Sequence, residues 1–64
     1  MNVELTITDR DGRVICENEC YSFNMLRDNP GFSDNERRCF LDLVPHTGAV
    51  TFKRGDTTFH VVRV

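Results

Sequence analysis

The chain has 64 residues, of which 39% are hydrophobic and 28% are charged, and its formal net charge at pH 7 is -2. A chain of this length forms one domain with a small core, and this composition is too apolar for an intrinsically disordered protein. Because no apolar run reaches the roughly 18 residues needed to span a bilayer, and residues 1–4 do not begin a secretory signal, we expect a cytoplasmic protein without membrane contact.

The first predicted element is a β-hairpin. Its first strand runs from about residue 2 to residue 8, where apolar and polar residues alternate with the period of two expected for one buried face. The inward-facing residues of this strand are Val3, Leu5 and Ile7. Gly12 supplies the positive φ angle that a tight turn needs, and residues 13–17 are predicted to return as the second strand.

Two short helices are predicted in the middle of the chain. Ser22 is a suitable N-cap for a first helical segment that reaches residue 28, and the Asn-Pro-Gly sequence at 29–31 breaks it. Ser33 and Glu36 have the spacing of a capping box, in which each side chain accepts from the other residue's amide, so a second helix begins there.

The second helix is predicted to end at Pro45, because the residue before a proline is driven out of the helical region. Its buried stripe is expected to consist of Cys39, Phe40, Leu43 and Val44. Residues 38–44 also have the apolar content and length of a strand, so the sequence leaves that alternative open.

A second β-hairpin is predicted at the end of the chain, with its turn at Gly55. Its inward-facing residues are Val50, Phe52, Phe59 and Val61. Val62 and Val64 fall on the opposite side, together with His60, which places an apolar strip on the face expected to contact water. The sequence therefore predicts an α+β domain of order β-β-α-α-β-β, with two short helices on one face of an antiparallel sheet and the other face uncovered.

Charge is distributed unevenly between the two hairpins. The first hairpin is acidic through Glu4, Asp9, Asp11, Glu17 and Glu19, and the second is basic through Lys53, Arg54 and Arg63. Such charges commonly do no more than keep a small protein soluble. An acidic hairpin is also suited to a basic partner protein, including the phosphate-binding groove of a nucleic-acid enzyme.

The sequence contains no catalytic signature, phosphate-binding loop or regular metal motif. Three residues separate Cys16 from Cys20, whereas a zinc knuckle has two, and Cys39 and His46 do not form a second close pair. We therefore expect free thiols, as the odd number of cysteines also indicates, with no metal, no cofactor and no enzymatic activity.

These observations favour a small, stand-alone protein that binds a larger protein and inhibits or modulates it by occlusion. Free-standing proteins of this size are common products of phages and other mobile elements that act on host defence or transcription machinery. The expected contact residues are the acidic side chains of the first hairpin together with His60, Val62 and Val64. The alternative is a nucleic-acid-binding module that uses Lys53, Arg54 and Arg63, and a homodimer formed by pairing of the C-terminal strands would hide the two valines.

Overall fold

The computed structural model describes all residues from Met1 to Val64 and contains four strands and two helices in the order β-β-α-α-β-β. The strands are β1 (Asn2–Thr8), β2 (Val14–Ser22), β3 (Ala49–Arg54) and β4 (Thr57–Arg63), and the helices are α1 (Phe23–Arg27) and α2 (Asp34–Thr47). The predicted α+β class and element order are confirmed. The segment 38–44 is helical, because the strong capping box upstream starts a helix that continues through it.

The four strands form one antiparallel sheet in the order β2-β1-β4-β3. The first and last strands of the chain are therefore neighbours at its centre, and both helices lie in the connection between the two hairpins. Both edges of β4 are hydrogen-bonded within the chain, to β1 and to β3. A second copy could pair with the C-terminal strand only by displacing one of these neighbours.

The second strand is longer and less regular than predicted. It extends to Ser22 rather than ending at residue 17, and its pairing with β1 shifts register twice. The backbone of Asn18 lies in the left-handed region, with φ 50°. These shifts are β-bulges, which place extra residues in one strand and interrupt the alternation of side chains. Residues 14–16 are consecutive apolar residues, so the sequence does not indicate which of them projects into the core. They lie beside one of these shifts.

The N-terminal caps of both helices are confirmed. The Ser22 hydroxyl accepts from the Met25 amide at 3.2 Å. In the capping box of α2, the Ser33 hydroxyl accepts from the Glu36 amide at 3.2 Å and the Glu36 carboxylate accepts from the Ser33 amide at 2.8 Å.

The prediction that α2 ends at Pro45 is wrong, because the helix continues to Thr47 and is capped by Gly48 at φ 86°. Proline has no amide to donate to the carbonyl four residues earlier, which here belongs to the exposed residue Leu41. The final turn is held by other donors. The Gly48 amide donates to Val44 at 3.1 Å, and the Arg63 guanidinium donates to the Pro45 carbonyl at 2.9 Å.

The core lies between the sheet and the helices. Its buried residues are Val3, Leu5, Phe23, Leu26, Phe32, Phe40, Val44, Val50, Phe59 and Val61. Ile7 and Phe52 of the predicted inward face are half-buried against this cluster. Leu43 is not in the core as predicted, because it lies at the edge of the helical stripe and its side chain is 40% exposed.

Replacement of Phe40 by alanine tests the position of this core. Phe40 is only 1% exposed and packs edge-to-face on Phe32 with ring centroids 5.0 Å apart. Removing such an aromatic ring leaves a cavity, so the free energy of unfolding should fall by about 3–5 kcal/mol in urea denaturation. Leu41→Ala on the exposed side of the same helix is the control and should change the stability by less than about 1 kcal/mol. Equal losses for the two variants would contradict the assigned helix orientation.

Candidate partner-binding surface

The side of the sheet that faces away from the helices is uncovered, and we call it the open face. Cross-strand partners in an antiparallel sheet project to the same side, so the register defines its members. They include Glu4 and Thr6 of β1, Ala49, Thr51 and Lys53 of β3, and Thr58, His60 and Val62 of β4, with Val64 just beyond.

Four of the predicted contact residues come together on this open face. Glu4 lies directly opposite Val62, and His60 and Val64 lie two residues before and after Val62 on the same side of the sheet. The Val64 amide continues this pairing by donating to the Asn2 carbonyl at 3.0 Å. Val64 is 61% exposed, whereas Val62 is half-buried by its strand neighbours. This arrangement puts an apolar strip beside one carboxylate and one imidazole.

Hydrogen bonds fix the orientation of polar side chains on the open face. The Thr51 hydroxyl and Nδ1 of His60 are 2.6 Å apart across the β3–β4 pair. At the β1–β2 pair, the Thr6 hydroxyl donates to the Asn18 side-chain oxygen at 3.2 Å and accepts from the Asn18 amide at 3.3 Å. The second pair also bridges the bulge in β2.

The remaining acidic residues of the first hairpin do not join this surface. Asp9 has a structural role, because one of its carboxylate oxygens accepts from the amides of Asp11 and Arg13, both at 2.9 Å, and closes the turn. Asp11 is exposed at the turn, and Glu17 lies in the irregular part of β2. The five carboxylates therefore do not form one continuous acidic face.

Glu19 projects to the helix side of the sheet, since it lies opposite the buried Leu5. Its carboxylate accepts a hydrogen bond from the Tyr21 hydroxyl, and this bond raises the pKa of Tyr21. The pKa of the Cys16 thiol is also raised, mainly by desolvation and then by the negative charge of Glu19. The sequence pattern missed this Cys16–Glu19–Tyr21 group because the bulge changes which residues share a side.

The predicted basic group is divided by internal contacts. The Arg54 guanidinium donates to both carboxylate oxygens of Glu36, at 2.7 and 3.1 Å, and to the Gly31 carbonyl at 2.9 Å. Its Cζ atom lies 4.8 Å from the ring centroid of Phe59, within the range of a cation–π interaction. The Arg63 guanidinium is bound at the C-terminal end of α2, where a positive charge complements the helix dipole. Lys53 alone remains exposed on the open face without an internal ion pair.

The structure does not bring the cysteines and His46 together. Cys16 lies on the helix side of β2, Cys20 pairs opposite Glu4 on the open face, and Cys39 is on α2. All three thiols are free. No group of three or more His, Cys, Asp or Glu side chains is placed to hold one metal ion.

No protein-family description, curated protein or solved structure matches this chain. The molecule has no enclosed pocket, and neither helix has the length and apolar character needed to cross a membrane. Among the surfaces of the molecule, the open face has the largest set of predicted contact residues.

The ion pair between Arg54 and Glu36 predicts a specific dependence of stability on pH. Hydrogen bonds from Arg54 lower the pKa of Glu36 in the folded state. The stabilisation is therefore fully present above the unfolded-state pKa of about 4.3 and is lost as the pH falls through the lower folded value. Glu36→Gln keeps the side-chain size but removes this charge. The difference in unfolding free energy between wild type and variant should be largest above about pH 5 and should shrink towards pH 3.

Asp34→Asn is the matched control, because the Asp34 side chain is 94% exposed in its pair with Arg37. An exposed pair of this kind contributes little, so the control should change the free energy of unfolding at pH 7 by less than about 1 kcal/mol in chemical denaturation. A difference for Glu36→Gln that is the same at pH 3 and pH 7 would contradict the assigned ion pair.

Proposed function

We propose that this chain is a protein-binding protein of the inhibitor or modulator type, which acts in the cytoplasm by covering part of a larger protein with its open face. The observation that supports this function is the convergence of Glu4, His60, Val62 and Val64 on the side of the sheet that no helix covers. Exposed apolar residues bordered by polar groups are typical of protein interaction sites.

The size of the surface is compatible with this function. The molecule measures 30 × 23 × 21 Å along its principal axes. One whole side, at most 30 × 23 Å, is therefore slightly smaller than the roughly 800 Å² that each partner contributes to a standard protein–protein interface. In such an interface the two valines would supply apolar contact, while Glu4 and His60 would select a partner with complementary donors and acceptors.

The nucleic-acid-binding alternative has less support. Arg54 is ion-paired with Glu36, and the Arg63 guanidinium is held at the Pro45 carbonyl, which leaves Lys53 as the only side chain of the predicted set with no internal partner. Affinity for nucleic acid depends on the number of phosphates neutralised, and so small a set neutralises few. We therefore rank protein binding first.

The proposal predicts the loss of a partner when the apolar strip is altered. Val62→Lys places a charge in the strip, and the carboxylate of Glu4 directly opposite can pair with it, so the sheet should remain folded. In affinity capture from the source cells, followed by mass spectrometry, this variant should recover a specific protein at less than about a tenth of the wild-type yield, corresponding to a loss of about 1.4 kcal/mol or more.

Leu41→Lys is the control, since it makes the same change at a side chain that is 48% exposed on the helix layer. It should capture the same protein at the wild-type yield. Recovery that is unchanged for Val62→Lys would reject the open face as the contact, and recovery of nucleic acid alone would reject the protein-binding function. Circular dichroism confirms that each variant is folded before capture.

A further inference from the structure

The outer edge of β3 is regular and unpaired. The Arg63 amide donates to the Gly48 carbonyl at 2.7 Å, and in an antiparallel ladder the residues bonded to the neighbouring strand alternate. The backbone groups of Ala49, Thr51 and Lys53 therefore project away from β4. The Ala49 carbonyl already accepts from the Thr47 hydroxyl at 2.9 Å, whereas no contact within the chain occupies the amide and carbonyl groups of Thr51.

The opposite edge of the sheet differs in two ways. The pairing of β2 with β1 has two register shifts, while the pairing of β3 with β4 has none. The irregular edge also carries Glu17 and Glu19, which would face like charges if two copies paired there. Bulges and charges are common features that prevent association at a sheet edge. The edge of β3 lacks the bulges, and its outward-pointing positions contain one charge, Lys53.

Helix α2 presents exposed apolar surface beside this edge. Arg37 points towards the first helix, because its guanidinium donates to the carbonyl groups of Arg27 and Asn29 at 3.1 Å. At 100° per residue, Cys39 and Leu43 lie about 200° and 240° around the helix from Arg37. They therefore lie on the side of α2 that faces away from α1, above the β3 edge. This position accounts for the exposure of Leu43.

We propose that the β3 edge pairs with the β3 edge of a second copy, antiparallel about a two-fold axis at Thr51. Thr51 then lies opposite Thr51 of the second copy, and Lys53 lies opposite Ala49 of the second copy. This register pairs the outward-pointing backbone groups of Ala49, Thr51 and Lys53, with the Ala49 carbonyl accepting a second hydrogen bond beside that from Thr47. It places no like charges opposite one another. Residues in contact across such an interface are the same on both copies, as a two-fold axis requires.

The helices fit this arrangement. Strands in a sheet are about 4.8 Å apart, and α2 packs over β3 and β4, so the axes of the two α2 helices would be about 10 Å apart. Helices in contact are typically 8–10 Å apart, which allows Leu43 to pack on Leu43 of the second copy. The contact comprises one pair of β3 strands and the facing sides of the two α2 helices, which is small for a protein–protein interface. The dimer should therefore be weak, and its fraction should rise reversibly with protein concentration. The open faces of the two copies would lie side by side, independent of the partner proposed above.

Sedimentation equilibrium with backbone variants tests the strand pairing. The wild type should shift with rising concentration from the mass of one chain, 7.4 kDa, to twice that mass. Thr51→Pro removes an amide that has no role in the monomer, so it should abolish the shift while leaving the chain folded by circular dichroism. Thr51→Val also removes the hydroxyl but keeps the amide, and it should dimerise as the wild type does.

A matched pair of helix variants tests the flank. Leu43→Lys should weaken dimerisation at least tenfold, whereas Leu41→Lys, on the α1 side of the same helix, should leave it unchanged. The proposal is overturned if the wild type stays monomeric up to millimolar concentration, or if Thr51→Pro and Leu43→Lys both dimerise like the wild type. Loss of dimerisation with Leu41→Lys alone would also overturn it, since that result would place the contact elsewhere.

Discussion

The pairing of β1 with β4 is the constraint on which the rest of the structure depends. It joins the two ends of the chain at the centre of the sheet and sets Leu5 opposite Val61 and Ile7 opposite Phe59. This register directs the apolar residues of both hairpins to one side. Because the two helices lie in the connection between the hairpins, they cover that side, and the other side of the sheet remains open.

The core is small, and aromatic contacts hold the helix layer to the basic hairpin. Phe40 of α2 packs edge-to-face on Phe52 of β3 with ring centroids 5.6 Å apart, and Phe32 packs edge-to-face on Phe59 of β4 at 6.0 Å. Arg54 covers this cluster from outside and links it to α2 through Glu36. Arg54, which the sequence suggests as a nucleic-acid-binding residue, is thus part of the fold. Its guanidinium is hydrogen-bonded to the Glu36 carboxylate, which is largely shielded from water.

The features predictable from the sequence are those that depend on local chemistry. Periodicity located β1 and the second hairpin, and the spacing of Ser33 and Glu36 located the start of α2. The end of β2 was not predictable, because a bulge near Asn18 breaks the period of two on which the prediction depends. The end of α2 was also missed, because Arg63, distant in sequence, helps to hold the turn that contains Pro45.

The candidate surface was predicted only in part, for a related reason. Glu4, His60 and Val62 lie on regular strands, so alternation places them correctly on one face. The acidic residues of the first hairpin looked equivalent in sequence, but the turn at Asp9 and the irregularity in β2 direct them differently. Counting charges along the sequence cannot show these directions, because the side of the sheet to which a residue projects depends on the register of strand pairing.

The central claim is that the helices cover only one side of the sheet. The most direct test compares two adjacent valines in the central strand β4. With methyl-labelled protein and a soluble paramagnetic agent, relaxation of the Val62 methyl signals should be strongly enhanced. The Val61 methyl groups, which are 0% exposed on the helix side, should be protected. Equal protection of Val61 and Val62 in dilute monomeric protein would show that both faces are covered and would contradict the account.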